Sequence, residues 1–248
     1  MSVKKIVVAG GTGVLGRHVV QRARAAGHTV VPLSRSAGQD VVAGTGLAEA
    51  MSGADVVIDV SNVPTLATKK SVDFFRRATG NLLAAEQAAE VAHHVAVSII
   101  GIDAETTGYY AGKVEQERLV TSGPVPWSLL RATQFHEFVP QVLQRTVGPL
   151  VLLPAMRTAT VAAAEVAQAL VALSDGPAHG RAPDLGGPEE AELADLVKRY
   201  LAAKGQRGRV VRLPLPGAAG KRMRQGAFLP GPGADRGKQT FGEWLAEA

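Results

Sequence analysis

Residues 7–16 read VVAGGTGVLG, an apolar run that leads into glycines at positions 10, 13 and 16, and this stretch decides the fold. The apolar run predicts a buried strand, the glycines predict a tight turn, and a helix follows from Val14. Such a turn presents backbone N–H groups and the positive end of the helix dipole to a phosphate. The Gly-x-x-Gly-x-x-Gly spacing is a variant of the Gly-x-Gly-x-x-Gly dinucleotide fingerprint, although an ordinary tight turn is the alternative. We expect the pyrophosphate of a dinucleotide to contact Gly10, Thr12, Gly13, Val14, Leu15 and Gly16.

The residues after the second predicted strand bear on which dinucleotide binds. This strand spans residues 29–33, and Ser34, Arg35 and Ser36 follow it. An Asp or Glu at this place would accept a hydrogen bond from the 2′-hydroxyl of the ribose and repel a 2′-phosphate. An arginine fork with hydroxyl donors suits a 2′-phosphate instead. We therefore expect Ser34 and Arg35 to bind NADP in preference to NAD, the alternative being that Arg35 is a solvated loop charge.

The composition excludes several classes of protein. The chain of 248 residues has a net charge of +5, which is scattered except at residues 207–209 and 221–224. It has no cysteine, which excludes disulfides, thiol catalysis and cysteine-based zinc sites, and the pair His93 and His94 lacks a third metal ligand. Basic and aromatic residues are not interleaved, and no apolar run reaches the length of about 18 residues that a membrane span needs. Because Met1 leads directly into the first strand, we expect no signal peptide and a cytoplasmic protein that binds neither nucleic acid nor membrane.

Strand and helix patterns alternate along the chain, which is typical of an α/β fold with a parallel sheet. After the first strand, the predicted strands are 29–33, 39–42, 55–60, 95–100, 127–131, 150–154, 183–187 and 210–213. The predicted helices are 14–26, 46–51, 71–93, 109–122, 162–174 and 191–204. Residues 214–236 are rich in Gly and Pro, which predicts a lid or a mobile loop. We expect one Rossmann-like, doubly wound domain over residues 1–248, with 133–160 and 183–236 forming a small C-terminal substrate-binding portion.

Three residues in the middle of the chain point to proton-transfer chemistry. Ser98 ends a predicted strand, and the i, i+4 spacing of Tyr109 and Lys113 puts their side chains on one face of the next helix. A neighbouring ammonium lowers the pKa of a tyrosine, ordinarily about 10, so Tyr109 is suited to donate a proton to a carbonyl oxygen. Lys113 is also placed to bind the ribose of a nicotinamide, and Ser98 to orient the carbonyl. The alternatives are that Tyr110 is the acid, or that the helix has a packed tyrosine and a surface lysine.

The glycine loop together with Ser98, Tyr109 and Lys113 resembles that of an atypical or extended short-chain dehydrogenase/reductase. Residues 97–103, 109–113 and 130–135, with LGGP at 185–188 and TFGEWL at 240–245, are similar to its NmrA-like branch. The resemblance spans nearly the whole chain and implies a Rossmann fold, NAD(P)H binding and often the reduction of a carbonyl group. It also implies further contacts: Asp40 and Val41 with the adenine, Ser61 and Asn62 with the adenosine, and Phe135 and His136 with the nicotinamide or substrate. Helix pairing across a two-fold axis is common in the family, so a homo-oligomer is one expectation.

The sequence departs from the extended members at one position. They often carry an asparagine, in the helix before the strand of Ser98, that completes the catalytic set through a water. Phe75 stands there in this chain, and Asn81 comes about six residues later. The sequence predicts an NADPH-dependent reductase of a carbonyl or related group on a small organic molecule, with Tyr109 as proton donor. Because some NmrA-like proteins bind the dinucleotide without turnover, a redox sensor is one alternative, and an epimerase that uses the cofactor transiently is the other.

Overall fold

The computed structural model describes residues 2–144 and 150–247, which form two compact units. The first unit comprises the residues up to 98, then 102–131 and 166–182. The second unit comprises 99–101, 132–165 and the residues from 183 onward. The ranges 133–160 and 183–236 fall in the second unit, although residues 145–149 lie outside the described residues. That these ranges bind substrate stays a prediction.

The described residues contain the following regular elements. The strands are β1 Lys5–Ala9, β2 Thr29–Pro32, β3 Val56–Asp59, β4 His93–Ile99, β5 Trp127–Ala132, β6 Leu150–Pro154, β7 Arg157–Thr158, β8 Gly180–Arg181, β9 Leu185–Gly186, β10 Ala191–Glu192, β11 Arg209–Leu213 and β12 Asp235–Arg236. The helices are α1 Val14–Ala25, α2 Leu47–Met51, α3 Thr68–Ala88, α4 Gly108–Ser122, α5 Phe138–Leu143, α6 Ala163–Asp175, α7 Leu193–Ala203, α8 Gly217–Arg224 and α9 Phe241–Glu247. Short 3-10 turns occupy Arg35–Ala37 and Ile102–Ala104.

A parallel sheet forms the centre of the first unit, with its strands in the order β2-β1-β3-β4-β5-β8. β1 pairs in parallel with β2 on one side and with β3 on the other, so the chain reverses its direction of winding at β1. Such a reversal is the point at which doubly wound sheets bind ligands, outside the carboxyl ends of the strands. The predicted Rossmann-like, doubly wound α/β fold is confirmed.

The inner strands of this sheet are buried on both faces. All four residues of β3 are buried, as are four of the five in β1, because helices cover a parallel sheet on both sides. On one side, Val7 and Val57 of the sheet pack with Leu47 of α2 and Leu82 of α3 in one apolar cluster. This core gives the strand ends a rigid base from which side chains can be presented to a ligand.

Helices α3 and α4 approach each other very closely. A Cβ built on Gly112 of α4 would lie 2.1 Å from the Ser71 Oγ of α3, so only a glycine fits at this contact. The Ser71 hydroxyl donates a hydrogen bond to the carbonyl oxygen of Tyr109 at 2.9 Å. Helix α4 is also joined to β5, where the buried guanidinium of Arg131 donates to Glu117 at 2.6 Å and to Asp103 at 2.7 Å. These contacts fix where α4 lies relative to the sheet.

Two predicted elements of the first unit differ in the structure. The strand predicted at residues 39–42 was wrong, because the Asp40 carboxylate accepts hydrogen bonds from the N–H groups of Val42 and Ala43 and folds the chain into a turn. The helix predicted at 71–93 starts earlier and ends at Ala88. Glu90 has a φ of +56°, which turns the chain into β4, so that both histidines, His93 and His94, belong to a strand.

The described residues of the second unit form three small strand pairs. β6 and β11 pair in parallel, β7 and β10 are antiparallel, and β9 and β12 are parallel, while Leu185 of β9 also pairs with Ala132. Helices α5, α7, α8 and α9 belong to this unit. The expectation of a loop throughout 214–236 was wrong where α8 and β12 form, and Phe228 between them is fully buried.

Candidate functional site

The glycine loop between β1 and α1 has the shape of a phosphate cradle. Gly10 has a φ of +78°, and a Cβ on it would lie 2.7 Å from the Val60 carbonyl oxygen. A Cβ on Gly16 would lie 2.0 Å from the Gly10 carbonyl oxygen, which shows how closely the helix packs on the strand. Helix α1 starts at Val14 with Gly13 as its N-cap and has no side-chain cap. Its first N–H groups are therefore open to an anion, so the backbone fits the pyrophosphate of a dinucleotide.

Arg17 adds positive charge near this end of α1, whereas Arg24 lies in the last turn of the helix. An open cleft of about 520 Å³ beside the loop is lined by Thr12, Arg17 and Arg24, among others. Thr12 is exposed, and its carbonyl oxygen accepts a hydrogen bond from the guanidinium of Arg17 at 3.3 Å. Leu15, by contrast, is buried, so only its backbone N–H can face a phosphate.

The end of β2 forms a turn that exposes Arg35. The Ser34 Oγ accepts a hydrogen bond from the N–H of Ala37 at 3.2 Å and lies 3.1 Å from the Ser36 Oγ, so it caps the turn. Arg35 is exposed, and within the described residues it has no ion pair closer than 4 Å. Its guanidinium is thus available to a phosphate.

Asn81 has a role that the sequence did not reveal. Its side-chain amide donates hydrogen bonds to the carbonyl oxygens of Val41 and Val42, at 2.9 and 3.0 Å. The two N–H groups that bind the Asp40 carboxylate also lower the pKa of that carboxyl. Asn81 therefore holds the turn that carries Asp40 and Val41, the two residues predicted to contact adenine.

Two buried hydroxyls lie at the carboxyl ends of neighbouring strands. β3 and β4 pair Asp59 with Ala96, and Ser61 and Ser98 each come two residues later. The two serines are 5% and 3% exposed, and their Oγ atoms have no hydrogen-bond partner in the described part of the chain. A buried hydroxyl without a partner is costly, so these two groups fit a site that a ligand completes. Asn62, next along the chain, is exposed.

Lys113 is buried against β4, the strand that carries Ser98. Its ammonium donates hydrogen bonds to the carbonyl oxygen of Val97, at 2.7 Å, and to the side-chain oxygen of Gln116. The Nζ also lies 4.9 Å from the ring centroid of Phe75, which therefore contacts the lysine in place of the expected asparagine. Burial lowers the pKa of Lys113 to about 8, although the carboxylates of Asp59 and Glu117 oppose this shift.

Tyr109 lies on the same face of α4 and is half-buried. Its ring packs edge-on against Phe75 and Tyr110, at centroid distances of 5.9 and 6.0 Å. Burial raises the pKa of Tyr109, and Tyr110 and the Asp59 carboxylate raise it further. The expected lowering by Lys113 is not seen, because the lysine directs its hydrogen bonds to Val97 and Gln116.

The pair predicted to border the nicotinamide or substrate belongs to the second unit. His136 is fully buried there, with Nδ1 2.8 Å from the Thr160 Oγ1 and Nε2 3.1 Å from the Gln239 carbonyl oxygen. Its ring packs against Trp244, and burial lowers its pKa. Both ring nitrogens thus have partners within the unit. Phe135 is half-buried, and its role stays a prediction.

Residues 2–144 and 150–247 contain neither a cluster of metal ligands nor a helix suited to a membrane. No cluster of three or more His, Cys, Asp or Glu side chains there is arranged to hold a metal ion. No helix in these ranges has the length and hydropathy needed to cross a bilayer.

Comparison with known proteins identifies the family of the chain. A family model described as NAD(P)H-binding matches residues 10–177, more than half of the chain. The chain belongs to this NAD(P)H-binding family. The matched range starts at the first glycine of the cradle and includes Ser98, Tyr109 and Lys113. No curated protein matches the sequence.

Solved structures of NAD(P)-binding proteins share the fold at low sequence identity. An NADP complex of dTDP-4-dehydrorhamnose reductase from Bacillus anthracis is 11% identical, with a TM-score of 0.73 over 99% of this chain and 98% of that chain. An NADPH-dependent quinone oxidoreductase from Escherichia coli is 17% identical, with a TM-score of 0.66 over 98% of each chain. A short-chain dehydrogenase/reductase superfamily protein from Agrobacterium tumefaciens with bound NAD is 19% identical, with a TM-score of 0.65 over 98% of this chain and 95% of that chain. These structures confirm the resemblance to short-chain dehydrogenases/reductases at the level of fold, and the family model confirms the NAD(P)H-binding family.

Proposed function

We propose that this family member is an NADPH-dependent oxidoreductase that reduces a carbonyl or related group on a small organic molecule. The observation that carries the proposal is the joint placement of Ser98, Tyr109 and Lys113. Lys113 binds the carbonyl oxygen of Val97, the residue next to Ser98, and Tyr109 lies one turn before it on α4. The free hydroxyl of Ser98 and the ring of Tyr109 belong to the same unit as the glycine cradle.

The choice of NADPH over NADH rests on Arg35. Similar folds bind either dinucleotide, since the reductase from Bacillus anthracis was solved with NADP and the protein from Agrobacterium tumefaciens with NAD. The exposed guanidinium of Arg35 suits a 2′-phosphate, and no acidic residue stands beside it at positions 34–36 to repel one. When bound, NADPH supplies a hydride to the substrate carbon.

The three side chains then have complementary roles. Tyr109 donates its proton to the carbonyl oxygen as the carbon is reduced, so the product is an alcohol and the phenolate regains a proton from solvent. Ser98 donates a hydrogen bond to the same oxygen and orients it. Lys113, with a pKa of about 8, is mostly protonated at neutral pH, so its ammonium would donate a hydrogen bond to the ribose of the nicotinamide.

Titration with NADPH and NADH, followed by fluorescence, tests the cofactor. Removing a guanidinium that binds a phosphate costs a charge-assisted hydrogen bond, so Arg35→Ala should weaken NADPH binding at least about tenfold and leave NADH binding unchanged. Arg207→Ala, at an exposed arginine of the second unit, is the control for a general loss of positive charge. Equal losses for both nucleotides, or none, would remove the basis for NADPH preference, and no binding of either would refute the cofactor site.

A screen of carbonyl substrates with two matched variants tests the acid. Tyr109→Phe should bind NADPH normally and lose turnover by about a hundredfold or more, whereas Tyr110→Phe, at the neighbouring ring, should remain active. The opposite pattern would assign the acid to Tyr110. If both variants turn over like the wild-type protein, neither phenol is the proton donor.

A non-catalytic redox sensor is the second candidate. It is favoured by the raised pKa of Tyr109 and by the engagement of the Lys113 ammonium with protein groups and the ring of Phe75. This function predicts tight NAD(P)H binding without consumption of the dinucleotide in the presence of any carbonyl substrate. It also predicts that Tyr109→Phe leaves the affinity for the dinucleotide unchanged.

A further inference from the structure

A buried chain of hydrogen bonds runs from Lys113 to the end of β3. The side-chain oxygen of Gln116 accepts from the Lys113 ammonium, and its amide nitrogen donates to the Asp59 Oδ2 at 2.8 Å. The other carboxylate oxygen of Asp59 accepts from the N–H of Ser61 at 2.9 Å. Gln116 and Asp59 are fully buried, and Lys113 is 3% exposed. The chain therefore lies in the protein interior, where an unpaired charge would be costly.

The chemistry of the end groups sets the orientation of the Gln116 amide. An ammonium only donates hydrogen bonds and an ionised carboxylate only accepts them. The amide must then turn its oxygen to Lys113 and its nitrogen to Asp59, because the reverse would oppose two donors at one end and two acceptors at the other. The ammonium also donates to the backbone carbonyl oxygen of Val97, and Phe75 presents only the face of its ring to it. Gln116 is thus the side-chain hydrogen-bond acceptor of Lys113.

We infer that Gln116, held by Asp59, is a positioning residue that fixes the Lys113 ammonium for binding of the dinucleotide. The inference rests on the proposed function, in which Lys113 binds the ribose of the dinucleotide. It goes beyond that function because the same carboxylate also holds the turn of Ser61, whose hydroxyl has no partner. Asp59 therefore couples two predicted cofactor-binding residues that lie on different elements, one on α4 and one after β3.

Two variants interrupt this chain of hydrogen bonds without adding bulk. Gln116→Met keeps the length of the side chain and removes both polar ends. Because a hydrogen bond to a charged group is lost, it should weaken NADPH binding about tenfold. An asparagine can accept from only one of the two donors that Asp59 binds. Asp59→Asn therefore sets its amide nitrogen against the other donor, at Ser61 or at Gln116, and should weaken NADPH binding by a similar factor.

A polarity swap separates positioning from mere packing. Gln116→Glu alone sets a second carboxylate against Asp59 and should impair binding. In the double variant Asp59→Asn/Gln116→Glu, the oxygen of the new amide accepts from the N–H of Ser61, and its nitrogen donates to the new carboxylate. The other oxygen of that carboxylate accepts from Lys113. Every group then has a partner, so NADPH affinity should return to within about twofold of the wild-type value. If the double variant is as weak as the two single losses combined, the positioning role is refuted.

A double-mutant cycle tests whether Gln116 acts through Lys113. Lys113→Met removes the ammonium, so Gln116→Met should cause no further loss of NADPH affinity in that background. Full additivity of the two losses, with circular dichroism and thermal unfolding showing that all the variants are folded, would overturn the inference.

One readout needs no cofactor, and so distinguishes this inference from the proposed function. In protein labelled with ¹³C at the lysine Cε, the resonance missing from Lys113→Met identifies Lys113. Gln116→Met should shift this resonance and its titration, while Lys198→Met, at an exposed lysine, should not. An unchanged resonance would refute the positioning role even if NADPH binds; a shifted resonance with no NADPH binding would refute the proposed function alone.

Discussion

The alkaline pH dependence of stability should report directly on Lys113. Burial lowers the pKa of this lysine to about 8 in the folded protein, against 10.5 for an ordinary lysine. Between these two values the unfolded chain binds the proton that the folded protein has released. Stability rises with pH wherever the unfolded state binds more protons. The charged form of Lys113 therefore destabilises the fold at neutral pH, and this cost declines as the pH rises.

The size of the effect follows from the two pKa values. Integrating the difference in bound protons gives a rise of about 1.3 kcal/mol in the free energy of unfolding between pH 7 and pH 9. Tyr109 does not interfere, because its pKa is raised and an ordinary tyrosine in the unfolded chain loses its proton only at about pH 10. Other groups that titrate in this range contribute equally to the wild-type protein and to Lys113→Met, so the difference between the two proteins isolates the lysine.

Urea unfolding at pH 7, 8 and 9 measures this difference. The free energy of unfolding of the wild-type protein should rise relative to Lys113→Met by about 1.3 kcal/mol, with equal m-values in both. The chain has no cysteine, so thiol oxidation does not complicate the alkaline measurements. Parallel pH profiles for the two proteins would mean that Lys113 is not held in a desolvated site, which would refute the reasoning from its burial.

Three further predictions concern acid stability, the phosphate cradle and an ion pair. Burial lowers the pKa of His93 from 6.5 to about 4, so the free energy of unfolding should fall as the pH drops below 6.5, by about 2 kcal/mol at pH 5. His93→Gln should abolish this part of the pH dependence, as measured by urea unfolding. Gly16→Ala places a Cβ 2.0 Å from a carbonyl oxygen and should abolish NADPH binding in the fluorescence titration, whereas Gly80→Ala, where a Cβ meets nothing within 4 Å, should not. Glu117→Gln should lower the free energy of unfolding by about 3 kcal/mol in chemical denaturation, because the buried guanidinium of Arg131 loses one of its two carboxylate partners. Asp103→Asn, at a side chain that is 69% exposed, should cost less than about 1 kcal/mol; equal losses would contradict this account.

The fold could be predicted where the signal was local. The strand, glycine turn and helix at the start of the chain are adjacent in sequence, and the apolar strands of the sheet are continuous runs. The error at residues 39–42 arose because the Asp40 side chain competes for backbone N–H groups, which an apolar pattern does not reveal. The end of α3 was misplaced because no glycine or proline marks it, and Glu90 takes the left-handed conformation instead.

In the candidate site, too, the local relations could be predicted and the contacts between distant residues could not. Tyr109 and Lys113 are four residues apart, so helical geometry alone predicts their shared face. Gln116 and Asp59 are 57 residues apart in sequence, and Asn81 is 40 residues from the carbonyl oxygen of Val41 that it holds. No short spacing signals such contacts, because they form only when the strands and helices pack. The raised pKa of Tyr109 also depends on where the neighbouring side chains point.

The close contact between α3 and α4 at Gly112 fixes the position of Tyr109. Because α4 contacts α3 there and the Ser71 hydroxyl binds the carbonyl oxygen of Tyr109, the packing of α4 on α3 fixes how far the phenol lies from the sheet. The distance of the tyrosine from the strand ends therefore depends on how closely α4 packs on α3.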